Sequence, residues 1–436
     1  MEKNQFRLAD VILSVICVVF VAEAAAPVAS IGNSQYFWWG FMILAFLLPY
    51  GLIAAELGTA YAGDGGLYDW IHAAYPQGKW AARASWYYWI NFPLWMASLA
   101  VQLLFIWIVT LIACYPVCDS IVILNVSAVI KILLALLVGG LGVWYISRYG
   151  FVNDMSARTF LPSFDLTSLS YISVIIFNFL GFEVVCTFAG SMSEPKKQIP
   201  QSIVTGGIVI AAIYLFSAFG IGAAVDVREI SVDSGLIDAV SLILGADGGV
   251  LVGVVALLFL VTLFGNMISW SMGVNSTAAL AADHNDMPRI FAKRWAKNNM
   301  PVGSAVASGV VASGVCILGV LIEMVTPDSS LFWSFFALNL VMLLLSYLPV
   351  FPAFLKLRRV DAKTPRPFRV PGSDAALRCI AYVPMALIII SIIFTAVPLS
   401  FDAETLKSFL PITIGTILSA AIGEVLIALR GKTARS

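Results

Sequence analysis

Residues 168–191 read SLSYISVIIFNFLGFEVVCTFAGS. A helix of this length crosses the roughly 30 Å hydrocarbon core of a bilayer, which takes about 20 apolar residues. No face of it is polar enough to meet water, so it reads as a membrane span. Two features inside it are not those of an inert anchor. Gly181 is a weak point in a helix, because it loses more conformational freedom on ordering than any other residue. Glu183 places a carboxyl at membrane depth, where ionisable groups are expensive and mark a cavity, a partner or a transport pathway. The plainer alternative is a glycine packing contact beside an interfacial glutamate.

Working outward, the same apolar pattern recurs along nearly the whole chain. Of 436 residues, 60% are apolar and 11% charged, against roughly 25% charged in a soluble domain. Twelve spans are expected, at 9–31, 38–58, 85–102, 104–123, 126–146, 168–191, 203–225, 247–277, 302–324, 330–352, 380–399 and 408–429. The loops between them are too short to fold into a catalytic domain. The chain therefore reads as an all-α polytopic membrane protein forming a single transporter domain over 1–436. Lys3 and Arg7 before the apolar run Val11–Val21, with small residues at Ala24–Ala26, resemble a signal peptide, but the segment continues as a span.

Cytoplasmic loops collect lysine and arginine. With the N-terminus inside and spans alternating, 20 of the 25 basic residues fall on the inner side, four outside (Arg148, Arg158, Arg228, Lys407), and Lys131 within the fifth span. Both termini are thus expected in the cytoplasm, in a cytoplasmic membrane. Residues 85–123 resist the scheme, because two spans there leave almost no turn. A single span would reverse Lys79 and Arg83 relative to Lys196 and Lys197, so the charges favour two abbreviated spans.

The first span is interrupted as the sixth is. It carries Glu23-Ala24-Ala25-Ala26-Pro27 at mid-depth, and proline removes a backbone donor and clashes with the preceding turn. The two interruptions lie five spans apart. Broken helices at corresponding positions of two halves are the sequence pointer to a transporter site. This gives one repeat at about 9–146, a second at about 168–352, and appended helices at about 380–429. The candidate substrate site comprises Glu23, Ala24, Ala25 and Ala26 from the first break, and Phe177, Asn178, Gly181, Phe182 and Glu183 from the second. Trp270, in the polar end of the eighth span, could hold an amine by cation–π contact or simply pack. Unwound backbone offers free N–H and C=O groups, and Glu23 and Glu183 suit an amine or a proton. No histidine falls in a span, no acid pair stands at i, i+4, and there is no nucleotide-binding P-loop. An enzyme, an ATP-driven pump, a metal centre, a cofactor and a nucleic-acid partner are all unsupported. His72 and His284 fall in loops, and the six cysteines read as small apolar fillers.

These residues resemble the amino acid–polyamine–organocation transporters over nearly the whole chain. Gly181-Phe182-Glu183, then Ala189-Gly190 and Pro195-Lys196-Lys197-Gln198-Ile199-Pro200, are similar to that family's sixth-span pattern. Ala55-Glu56-Leu57-Gly58 with Gly65-Gly66, and Pro365-Arg366-Pro367-Phe368-Arg369-Val370-Pro371-Gly372, are further signatures. The resemblance implies a LeuT-like fold of five-plus-five inverted repeats plus two C-terminal helices, with the first and sixth spans binding substrate. The Trp270 segment looks like the one that bacterial amino acid/amine exchangers use to occlude substrate, and Trp270 and Phe177 are the candidate gates. The first break departs from the family's usual Gly-Ser-Gly type, which shifts the expectation toward an amine-bearing substrate. The implied function is a permease or antiporter of amino acids or polyamines working by alternating access, driven by a proton or counter-substrate, or exchanging an amino acid for its decarboxylated amine. A channel or a non-transporting sensor is the reading from another class.

Overall fold

The computed structural model describes residues 6–21, 28–99, 103–162, 164, 166–230, 235–325, 331–398 and 402–433. Its helices are α1 (Leu8–Val19), α2 (Ser34–Ala60), α3 (Leu67–Ala74), α4 (Trp80–Leu99), α5 (Leu103–Ile112), α6 (Val117–Tyr149), α7 (Leu166–Phe177) and α8 (Phe182–Cys186), followed by α9 (Pro195–Ala224), α10 (Gly235–Leu244), α11 (Gly249–Asp283), α12 (Val302–Val325), α13 (Leu331–Tyr347), α14 (Val350–Val360), α15 (Asp374–Ala396) and α16 (Ala403–Thr433). Among the described residues there is no strand beyond a single bridge, Phe6 to Met192, and eight helices are long and apolar enough to cross a membrane. Backbone groups in hydrocarbon have no water to bond, so helices, which satisfy them internally, are the form an open apolar chain must take.

Polarity is inverted relative to a soluble globule. Leu257, Ile317, Leu321 and Leu418 are exposed on the perimeter, whereas Asn91, Asn178, Asn266 and Glu183 are buried inside. The interior also takes the bulkiest rings, Trp39, Trp70, Trp95 and Trp270.

The basic segments gather at one end of the bundle. Gln198 Nε2 donates to the Phe6 carbonyl (2.9 Å), tying the start of α9 to the start of α1. Arg83 at the start of α4 pairs with Glu424 near the end of α16. The Tyr61 hydroxyl donates to Asp361 at 2.8 Å. At the opposite end, Asn33 Nδ2 donates to the Asp154 carbonyl (2.7 Å) and Val152 N–H to the Ala223 carbonyl (3.1 Å). The segregation read from the sequence is thus a property of the fold.

The crowded region 85–123 resolves in an unexpected way. The expected span 104–123 is divided: α5 stops at Ile112, the chain turns through Ala113–Pro116, and α6 starts at Val117. Pro116, in extended conformation as the N-cap, fixes the boundary, since proline favours the start of a helix and cannot continue one. Ten residues rise about 15 Å, half a hydrocarbon layer. Asn298 Nδ2 donates to the Cys114 carbonyl at 2.9 Å, which puts the α5–α6 turn at the basic end. Residues 100–102, which join α4 to α5, lie outside the described residues. His72 differs from expectation too, since it lies in α3, while His284 falls in the turn directly after α11 as expected; their ring centroids are 5.1 Å apart.

Two of the family signatures turn out to be halves of one lock. Glu56, fully buried in α2, accepts from Arg358 Nε (2.8 Å) and from Arg358 Nη2, and from the Val370 N–H at 2.7 Å. Arg366 Nε stands 3.2 Å away. A buried carboxylate is tolerated only when paired and hydrogen-bonded, and here two guanidinium groups and a backbone donor surround it. Glu56→Gln removes the charge while keeping the shape. It is expected to lower stability by at least about 3 kcal/mol, the scale of breaking a buried ion pair, read as a fall in Tm of the detergent-solubilised protein. An unchanged Tm would show the lock to be dispensable.

Candidate functional site

The sixth span is broken where the sequence places the break. α7 ends at Phe177, residues Asn178–Gly181 make tight turns, and α8 starts at Phe182. Gly181 has φ +117°, a region that L-residues with a Cβ rarely adopt. A β-carbon there would stand 2.8 Å from Val18 Cγ1 and 3.1 Å from the Trp270 ring. The break thus presses against the last turn of α1 and the indole of α11.

α1 ends at Val19, with Phe20 extended at φ −76°, ψ 111°. Glu23, Ala24, Ala25 and Ala26 lie outside the described residues. The described end of α1, before them, is held by the protein's own side chains. Trp270 Nε1 donates to the Val18 carbonyl at 3.0 Å. The Val21 N–H donates to the Tyr214 hydroxyl at 2.8 Å. Lys131 Nζ donates to the Cys17 carbonyl at 2.7 Å and to the Phe20 carbonyl. The C-terminal end of a helix carries partial negative charge, and the Lys131 ammonium sits on it. The protein's own side chains thus hold these groups of the first break.

Glu183 is buried among three tyrosines. The hydroxyls of Tyr50, from α2, and Tyr88, from α4, both donate to its carboxyl, Tyr88 at 2.7 Å. The Tyr347 ring, from α13, packs edge-on to both, at 5.5 and 6.4 Å. Four helices converge on one acid, on the basic-end side of Trp270. The Trp270 ring meets Tyr88 at 6.1 Å and Trp95 at 5.8 Å. Trp95, about 10 Å further along α4 than Tyr88, stacks edge-on against Phe177 (5.5 Å), which in turn meets Phe336 at 5.5 Å. The centre is bounded by an acid–tyrosine layer on one side and an aromatic layer on the other.

Phe177, Asn178, Gly181, Glu183 and Trp270 are therefore gathered at one place. The Phe182 ring is turned toward α2 and α9 instead, against Tyr50 and opposite Gly51 and Gly207, where it packs between helices. Sequence reading missed the roles of Lys131, Tyr50, Tyr88 and Tyr347. Lys131 could have been found, since it is a lone cation in an apolar span. The tyrosines carry no such signal among fourteen in the chain.

A helical membrane protein whose broken sixth span meets the end of the first beside a buried acid has the architecture of a secondary transporter. Its sequence matches the amino acid permease family over residues 5–104 and 99–420, and the chain belongs to that family. Over 447 aligned positions it is 57% identical to AguD, a probable agmatine/putrescine antiporter of Lactococcus lactis subsp. lactis (strain IL1403), covering 98% of this chain and 95% of that protein. It is 25% identical to the polyamine transporter RMV1 of Arabidopsis thaliana, covering 88% of this chain and 78% of that protein. Its fold is similar to that of MhsT in complex with L-phenylalanine, with a TM-score of 0.57 at 15% identity over 90% of this chain and 99% of that one. The family match divides at 99–104, where α5 comes out at half the length of a span. The alignment with AguD has more positions than the 436 residues of this chain, so this chain lacks some that its relative has.

Gly181→Ala is expected to cost about 1–3 kcal/mol through backbone strain and to abolish uptake, measured as Tm and as solute uptake in proteoliposomes. Lys131→Met removes the ammonium from the end of α1. Uptake is expected to fall by at least about tenfold, a change of 1.4 kcal/mol or more, with Lys131→Arg retaining more than Lys131→Met.

Proposed function

We propose that this chain exchanges two amines, agmatine for putrescine, across the cytoplasmic membrane by alternating access, with both termini in the cytoplasm. The 57% identity to AguD over 98% of the chain supports this reading most directly. The chemistry of the site agrees with it. A membrane-depth acid attracts a cationic amine, whereas the Lys131 and Trp270 donors and the Tyr214 hydroxyl, which accepts from the Val21 N–H, already hold the described end of α1. A substrate carboxylate gains little there. Exchange of an amino acid for its amine is therefore the weaker alternative.

In this mechanism the amine enters between the two aromatic layers. Glu23, Ala24, Ala25 and Ala26 contact it from the first break and Asn178 and Gly181 from the second, beneath Trp270. The repeats 9–146 and 168–352 supply one broken helix each. Opening toward the basic end requires the Tyr50 and Tyr88 hydroxyls to part from Glu183. Opening the other way requires Trp95, Phe177 and Phe336 to separate. A small cation or proton that competes for Glu183 would bias the first of these steps.

Proteoliposomes loaded with putrescine are expected to take up labelled agmatine, while empty vesicles or vesicles loaded with arginine do not. Glu183→Gln is expected to lower this exchange by at least about tenfold and to flatten its pH dependence. Uptake that ignores internal putrescine, or that proceeds equally with arginine inside, would overturn amine exchange.

A further inference from the structure

Three buried asparagines surround the aromatic centre, and much of their hydrogen-bonding capacity is unused. Asn178 and Asn266 are fully buried, and among the described residues neither their side-chain oxygens nor their nitrogens have a hydrogen-bond partner. Asn91 is fully buried, gives one hydrogen bond to the Tyr88 carbonyl, and leaves its oxygen without a partner. Buried polar groups are nearly always bonded, and each exception needs a reason. Left unmet, such a group costs on the order of 1–3 kcal/mol, so three amides in one place are a costly arrangement for packing alone.

Their positions supply the reason. Residues three and four apart share a helix face. Asn91 lies on α4 between Tyr88 and Trp95, whose rings both meet Trp270. Asn266 lies one turn before Trp270 on α11, on the face that Trp270 and Gly273 turn toward α1 and α8. Asn178 directly follows Phe177 at the break, and Phe177 meets Trp95. Two helices and the α7–α8 break thus place the three asparagines next to the residues of the box formed by Trp95, Phe177 and Trp270. The Trp95 indole N–H, also fully buried, has no partner either.

We propose that Asn91, Asn178 and Asn266 receive the second nitrogen terminus of a linear dication and so select diamines over monoamines. This rests on the amine-exchange reading and extends it to the far end of the substrate. The amides are neutral. Their carbonyl oxygens accept equally from the N–H groups of an ammonium or a guanidinium, which an exchanger of two different cations requires. A carboxylate at the same place would hold one of them by charge and slow its release.

The test uses the full chain in proteoliposomes, with labelled putrescine exchange competed by putrescine, agmatine and n-butylamine, which has an apolar far end. Asn266→Leu and Asn91→Leu are nearly isosteric and remove unpaired polar atoms, so their Tm is expected to equal or exceed that of the unmodified protein. Their preference for the dications over n-butylamine is expected to fall by about tenfold or more, because a site built for hydrogen bonds loses its discrimination when they go. Asn266→Gln should recover part of it. If a leucine variant fails to fold, Asn266→Ser and Asn91→Ser carry the same comparison. An unchanged preference, or an equal loss toward diamines and n-butylamine, overturns the assignment while leaving exchange in place. Absence of putrescine exchange in the unmodified protein overturns the exchange reading and this assignment with it.

Discussion

A carboxyl group inside hydrocarbon has to be surrounded by donors, because the alternative is an uncompensated charge in a medium that cannot solvate it. Glu183 meets that demand by drawing hydroxyls from α2 and α4, with a third tyrosine from α13 against them. Those helices are far apart in sequence, and they meet because one acid has to be covered. Their convergence also closes the centre of the protein on its basic-end side. The cover is made of hydrogen bonds between separate helices, so it can come apart when the helices move. An apolar plug in the same place would have no comparable switch.

The same logic governs the broken helix ends. Backbone groups released by a break must find partners, and around α1 they find Trp270, Lys131 and Tyr214. Lys131 therefore has a role beyond packing: it holds the end of α1 against α6. At the described end of α1 the protein's own side chains hold the backbone, and the asparagines of α4, the α7–α8 break and α11 have unused hydrogen-bonding capacity.

Away from the centre, the Glu56 cluster shows how distant segments are held with few polar residues. One acid in α2 fixes Arg358, Arg366 and the Val370 backbone, and so anchors the loop after α14 to the first half of the chain. α5 is short for a different reason: it stops at Ile112, four residues before Pro116, which N-caps α6.

Hydropathy, charge placement and the two interruptions are local properties, and the residues alone determined them. Apolar runs long enough to span must be helices in lipid, lysine and arginine must collect at one end, and Gly181 beside Glu183 must weaken a helix. Contact between the end of α1 and the sixth-span break, the tyrosine cover over Glu183, the outward turn of Phe182 and the seat of Lys131 depend on which helix faces which. Those facings are set by shape and by hydrogen bonds between residues tens to hundreds of positions apart. In an apolar span every face looks alike to a sequence pattern, so an amphipathic signal that would orient a soluble helix is missing. Only packing decides which tyrosine of fourteen meets the acid, and which asparagines turn toward the centre.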